Sequence, residues 1–138
     1  MAEARIVAGH AKWFIAGGAI NAALAIALGA AASHALRPHL AANDPAGWFA
    51  TALQYHQFHA LGLVVVGLAA AYAPSARCFA WSGWLILAGI VLFCGNLYLR
   101  SIAGVHLFHA VTPFGGLAFI VAWLLFAIGA LRLGSEDR

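Results

Sequence analysis

A chain of 138 residues that is 64% hydrophobic and only 8% charged, with mean hydropathy +0.92, has too few polar side chains to coat a water-soluble surface. Its net charge of +3 is spread without any basic cluster, which argues against a nucleic-acid partner and for anchoring at an anionic lipid leaflet.

The apolar residues gather into four runs of about bilayer length, at residues 13–32, 53–72, 79–99 and 114–133. Backbone polar groups in hydrocarbon must be satisfied internally, and the runs lack the alternation of a barrel strand, so they read as helices. The expected fold class is all-α: a polytopic membrane protein with four transmembrane helices in a bundle, one domain over 1–138 with short connections.

The first run follows Arg5 and Lys12 and ends in Ala30, Ala31 and Ala32, as a cleaved signal would. It is longer than the apolar core of a signal peptide and reads as a span. Small or short polar residues recur at every fourth place, Gly17, Asn21, Ala25, Gly29 and Ser33, and this stripe is the expected packing surface. A mid-span carboxamide is costly against lipid, so Asn21 should find a partner within the protein. Gly67, with Leu63 and Ala71 four residues to either side, lies on no such stripe, and Gly29→Leu is expected to be the more disruptive of the two leucine substitutions.

In the first long connection Asp44-Pro45 reads as a helix start, with the second helix running from Pro45 to Tyr72 and Pro74 closing it. The third run holds Cys78 and Cys94, about 24 Å apart along a helix and beyond disulfide reach. Thr112-Pro113 repeats the start signal for the fourth helix. With the termini inside, five basic residues (Arg5, Lys12, Arg77, Arg132, Arg138) face the cytoplasm against Arg37 and Arg100 outside, so both termini are expected to be cytoplasmic.

Histidine is the one residue type here with chemistry to weigh, because imidazole binds metals and haem iron. Among seven, His56 and His59 lie three residues apart in the outer part of the second run, and His106 and His109 repeat that spacing just before the fourth. The two pairs define a candidate outer-side site for haem, copper or zinc. The simpler reading has them as interfacial groups hydrogen-bonded to helices, headgroups or water, with no cofactor.

Gly29-Ala30 with His34-Ala35-Leu36, Tyr55 with His59-Ala60-Leu61, Phe93, Gly95, Leu97 and Tyr98, and Thr112-Pro113 with Gly115-Gly116 occur in an order and spacing that resembles the small four-span inner-membrane proteins of domain-of-unknown-function family 423. The resemblance implies the topology and the inner membrane, and carries over no reaction. His34 and His59 match the family's pattern. Ala31, Ala32 and Ser33 stand where a more glycine-rich stretch is usual, and His109 where glycine is common, so a four-histidine site would be particular to this chain.

Three classes of function follow. The first is an accessory or structural membrane protein that associates with itself or with a larger complex, which fits a small chain with little mass outside the bilayer. The second is a metal or haem protein using His56, His59, His106 and His109. The third is an oligomeric transporter or channel, disfavoured because Glu3, Asp44, Glu136 and Asp137 all lie outside the four runs. Catalysis is not expected: Gly-x-Ser-x-Gly, phosphate-loop and paired-carboxylate patterns are missing from the sequence.

Overall fold

The computed structural model describes residues 2–73, 76–105 and 110–133, and every regular element among them is helical. Helix α1 spans Ala2–Ser33, α2 Arg37–Asn43, α3 Trp48–Tyr72 and α4 Arg77–Gly89. A π-helical segment, Ile90–Gly95, joins α4 directly to α5, Asn96–Ala103, and α6 covers Val111–Arg132.

Three stretches are long and apolar enough to cross a bilayer: Gly9–Ser33 in α1, the continuous Arg77–Ala103, and Val111–Arg132. The fourth expected span, 53–72, lies in α3, which has the length at 25 residues but falls outside that set. Gln54, His56, Gln57 and His59 crowd its first half and lower its hydropathy.

Helix α1 lies along α3, and the two backbones approach most closely at a reciprocal pair of glycines. A Cβ on Gly18 would stand 2.8 Å from the Ala60 carbonyl oxygen and 2.9 Å from the Val64 nitrogen. One on Gly67 would stand 2.9 Å from the Ile15 nitrogen and 3.0 Å from the Ala11 oxygen. Lipid offers no hydrophobic incentive for helices to pair, so this close approach is what dispersion forces require. Of the expected stripe, Ala25 is fully buried, Gly17, Asn21 and Gly29 are half-buried, and Ser33 is exposed. The expected ranking of the glycines is reversed: a Cβ on Gly29 would meet only the flexible end of Leu53, at 3.3 Å, whereas Gly67 abuts backbone.

Elsewhere aromatic rings fill the notches that glycines leave. Phe14 of α1 covers Gly83, Trp123 of α6 covers Gly62, Phe119 of α6 covers Gly89, and Phe79 of α4 covers Gly129. The resulting core of Phe14, Leu63, Val66, Ile86, Ile90, Cys94, Leu97 and Phe119 draws on α1, α3, α4, the π segment, α5 and α6. Cys78 and Cys94 are both free thiols.

The first connection is more ordered than its sequence suggests. The short helix α2 packs beside α5, where the Asn43 amide nitrogen donates to the Ile102 carbonyl at 3.0 Å. Gly104, at φ +65°, closes α5 with its amide on the Arg100 carbonyl. Helix α3 begins at Trp48 rather than at Pro45, because Gly47 turns the chain at φ +71°. Asp44 still serves that start: its two carboxylate oxygens accept from the Trp48 and Phe49 amides at 2.7 and 3.0 Å. Asp44→Ala is therefore expected to cost about 1 kcal/mol, the scale of a lost helix cap. Asp44→Asn, which keeps one acceptor oxygen, should lose less in the same detergent unfolding titration.

The second start signal also shifts. Helix α6 begins at Val111, which puts Pro113 inside the first turn, where the amide that proline lacks has no intrahelical partner to lose. Thr112 is not the cap. Its hydroxyl instead accepts from the Asn96 carboxamide at 2.6 Å, tying α6 to α5.

Candidate functional site

The three-residue spacing of His56 and His59 sets their side chains on neighbouring faces of α3, and both are buried, at 2% and 3% exposure. Their surroundings differ in kind. His56 turns toward α1 and α5, where its Nε2 lies 3.0 Å from the Asn21 Oδ1 and its Nδ1 3.2 Å from the Tyr98 hydroxyl. The Asn21 amide nitrogen donates to the Gly17 carbonyl at 2.8 Å, so Oδ1 is the acceptor facing the ring. The tautomer follows: Nε2–H donates to Asn21, and Nδ1 accepts from Tyr98. Three helices are thus joined by one chain of hydrogen bonds, and neither His56 nitrogen keeps a lone pair free for a metal.

His59 turns toward α6. Its Nδ1 lies 2.8 Å from the Tyr55 carbonyl one turn back, so that nitrogen carries the proton and Nε2 the lone pair. Phe119 stacks on the ring with centroids 3.5 Å apart and planes 15° from parallel, and Phe58 meets it edge-on at 5.1 Å. His59 lines a groove of about 480 Å³ between α3 and α6, with Gln54, Tyr55 and Phe58 on the α3 side, Phe119, Ile120 and Trp123 on the α6 side, and Phe93 from the π segment between them. That volume falls within the range of small-molecule sites.

The π segment shapes this region. Its wider turn carries Phe93 to Tyr55, with centroids 4.8 Å apart, and to Phe119 at 5.9 Å. Helix α6 presses against it so closely at Gly115 that a Cβ there would stand 2.5 Å from the Phe93 nitrogen. Such single π turns recur at functional sites.

Of the histidines expected to form one outer-side centre, His106 and His109 lie outside the described residues. Among the described residues no three His, Cys, Asp or Glu side chains come together as a metal site would require. The sequence singles out Asn21 for its need of a partner, and Tyr98 as part of the family pattern. It does not single out the aromatic walls, because Phe119 and Trp123 read as ordinary span residues until α3 is laid against them.

The DUF423 profile ("Protein of unknown function") matches residues 28–116, which includes both α3 histidines, Tyr98 and the π segment. Over 121 residues the chain is 42% identical to the UPF0382 membrane protein YwdK of Bacillus subtilis (strain 168), covering 88% of this chain and 98% of that one. The chain belongs to the DUF423 family. Another relative, the UPF0382 membrane protein SSP2132 of Staphylococcus saprophyticus, is 37% identical over 88% of this chain and 99% of its own. The UPF0382 inner membrane protein YgdD of Escherichia coli (strain K12) is 38% identical over 83% and 86%. No solved structure matches. Named membrane relatives of near-equal length agree with the apolar helices: this DUF423 protein is a multi-pass membrane protein.

Proposed function

We propose that this DUF423 protein is a non-catalytic accessory or structural component of the inner membrane, crossing it four times and associating through its helix faces with copies of itself or with a larger complex. The observation that carries this reading is the internal use of its polar groups. His56 bonds to both Asn21 and Tyr98, and the Asn96 amide donates to the Thr112 hydroxyl, while Ile20, Leu24 and Ile26 of α1 and Leu117, Ile120 and Leu124 of α6 face outward. Apolar outer faces of this kind suit association between helices better than a polar pathway.

Helix α3 serves as the fourth span. Its 25 residues reach about 37 Å, more than the roughly 30 Å hydrocarbon core, and its polar half is turned to the protein interior at His56 and His59. The five-to-two excess of basic residues supports cytoplasmic termini, and the inner-membrane name of the Escherichia coli relative supports that location. A haem, copper or zinc centre on His56, His59, His106 and His109 is the weaker reading, since His56 would have to give up its hydrogen bond to Tyr98 or to Asn21 to ligate.

Mild detergent extraction followed by blue native electrophoresis and mass spectrometry of the excised band tests the proposal. The protein is expected to migrate in an assembly larger than one chain. A monomer with no stoichiometric companion would overturn the accessory reading.

A further inference from the structure

The groove between α3 and α6 has a polarity that packing alone does not call for. His59 is held by the Tyr55 carbonyl at 2.8 Å as the Nδ1–H tautomer, which makes Nε2 an acceptor with no proton to give. Around it stand Tyr55, Phe58, Phe93, Phe119 and Trp123. A lipid tail gains nothing particular from so many rings, because any branched aliphatic wall would serve it. A flat ring does, since offset and edge-to-face contacts between aromatics add to the simple burial of area. Gln54 adds a carboxamide to the same lining, and Ile120 on the α6 side is exposed, so the groove opens sideways toward the bilayer rather than toward water.

We propose that this groove binds a membrane-soluble aromatic alcohol, of the chemical class of the quinols. Its ring lies among Tyr55, Phe93 and Phe119, one ring hydroxyl donates to His59 Nε2, and its tail extends into the bilayer. The fixed tautomer gives the site a preference. A quinol brings the hydrogen that Nε2 lacks, whereas the oxidised quinone brings a carbonyl oxygen and sets two lone pairs against each other. The Gln54 carboxamide both donates and accepts and serves either form, so discrimination falls to His59. This inference is independent of the accessory reading, because a monomer can fill the groove as well as an assembly.

The test uses the full chain in phospholipid nanodiscs, titrated under anaerobic conditions with a benzoquinol bearing a ten-carbon tail, with empty nanodiscs as the blank. Saturable binding of one quinol per chain is expected, with the matching quinone several-fold weaker. His59→Phe keeps the stacked ring and removes the acceptor, and should weaken quinol binding by about tenfold, the scale of one hydrogen bond made in a dry site. Gly116→Leu fills the groove from α6 and leaves every hydrogen bond in place, since a Cβ there meets only the Phe93 ring at an ordinary 3.8 Å. It should abolish binding. Should His59→Phe fail to fold, Gly116→Leu and the quinol-to-quinone ratio decide the question. Binding no greater than in empty discs, equal binding of both redox forms, an unchanged affinity in folded His59→Phe, or displacement of the quinol by decane would each overturn the proposal, the last by marking the groove as an acyl-chain pocket.

Discussion

Gly67→Leu is expected to destabilise the protein by about 3 kcal/mol or more, the upper range for overpacking, and to leave little folded material after detergent extraction. The cause is the α1 backbone. A Cβ on Gly67 would stand 2.9 Å from the Ile15 nitrogen and 3.0 Å from the Ala11 oxygen, atoms that cannot move without separating α1 from α3. Gly29→Leu should cost no more than about 1 kcal/mol, because its Cβ meets only the end of Leu53, a side chain free to change rotamer. Thermal unfolding of both variants in one detergent, followed by light scattering, compares them directly. Equal losses would show that the α1–α3 contact does not depend on backbone approach at Gly67.

His56→Leu carries the second large effect, about 2 kcal/mol. Removing the imidazole takes the shared partner from the Tyr98 hydroxyl and the Asn21 carbonyl oxygen, and each stranded group costs about 1 kcal/mol. Hydrogen bonds between membrane helices measure modestly, at about 0.6 kcal/mol on average, so Tyr98→Phe alone should fall below 1 kcal/mol. The decisive quantity is the coupling between Asn21→Leu and His56→Leu. With the bond present, the double variant should be less destabilised than the sum of the singles by about 0.5 to 1.5 kcal/mol. Strict additivity would mean that the two side chains do not interact.

Much of this architecture is legible in the chain because lipid demands long apolar runs, and α1 and α6 show them without interruption. Helix α3 is harder to read, since its first half mixes Gln54, His56, Gln57 and His59 into an apolar run, and only the fold reveals which of these turn inward. The three-residue spacing says that His56 and His59 occupy neighbouring faces. It says nothing of what stands opposite, and that is what separates a closed hydrogen-bond chain from a groove wall. Gly29 was easy to favour from its stripe, whereas the importance of Gly67 depends on the backbone of a helix some fifty residues earlier. The π segment left no pattern of its own in Ile90–Gly95, where hydrophobicity runs on unbroken. The starts of α3 and α6 were near-misses of a few residues: the side chains quoted at each do act there, Asp44 on the α3 amides and Thr112 across to Asn96.

The ring-and-notch pairs bear on how the apolar helices find their order. In hydrocarbon almost any two such helices can touch, and burial alone does not distinguish a right neighbour from a wrong one. Phe14 with Gly83, Trp123 with Gly62, Phe119 with Gly89 and Phe79 with Gly129 act as keyed joints, each a bulge cut for one hollow on one other helix. Exchange the places of α1 and α6, and large rings meet filled surfaces while hollows stand empty. The sequence thus addresses each helix to its neighbours by size as well as by hydrogen bonds, and a change at one half of a joint calls for a matching change at the other.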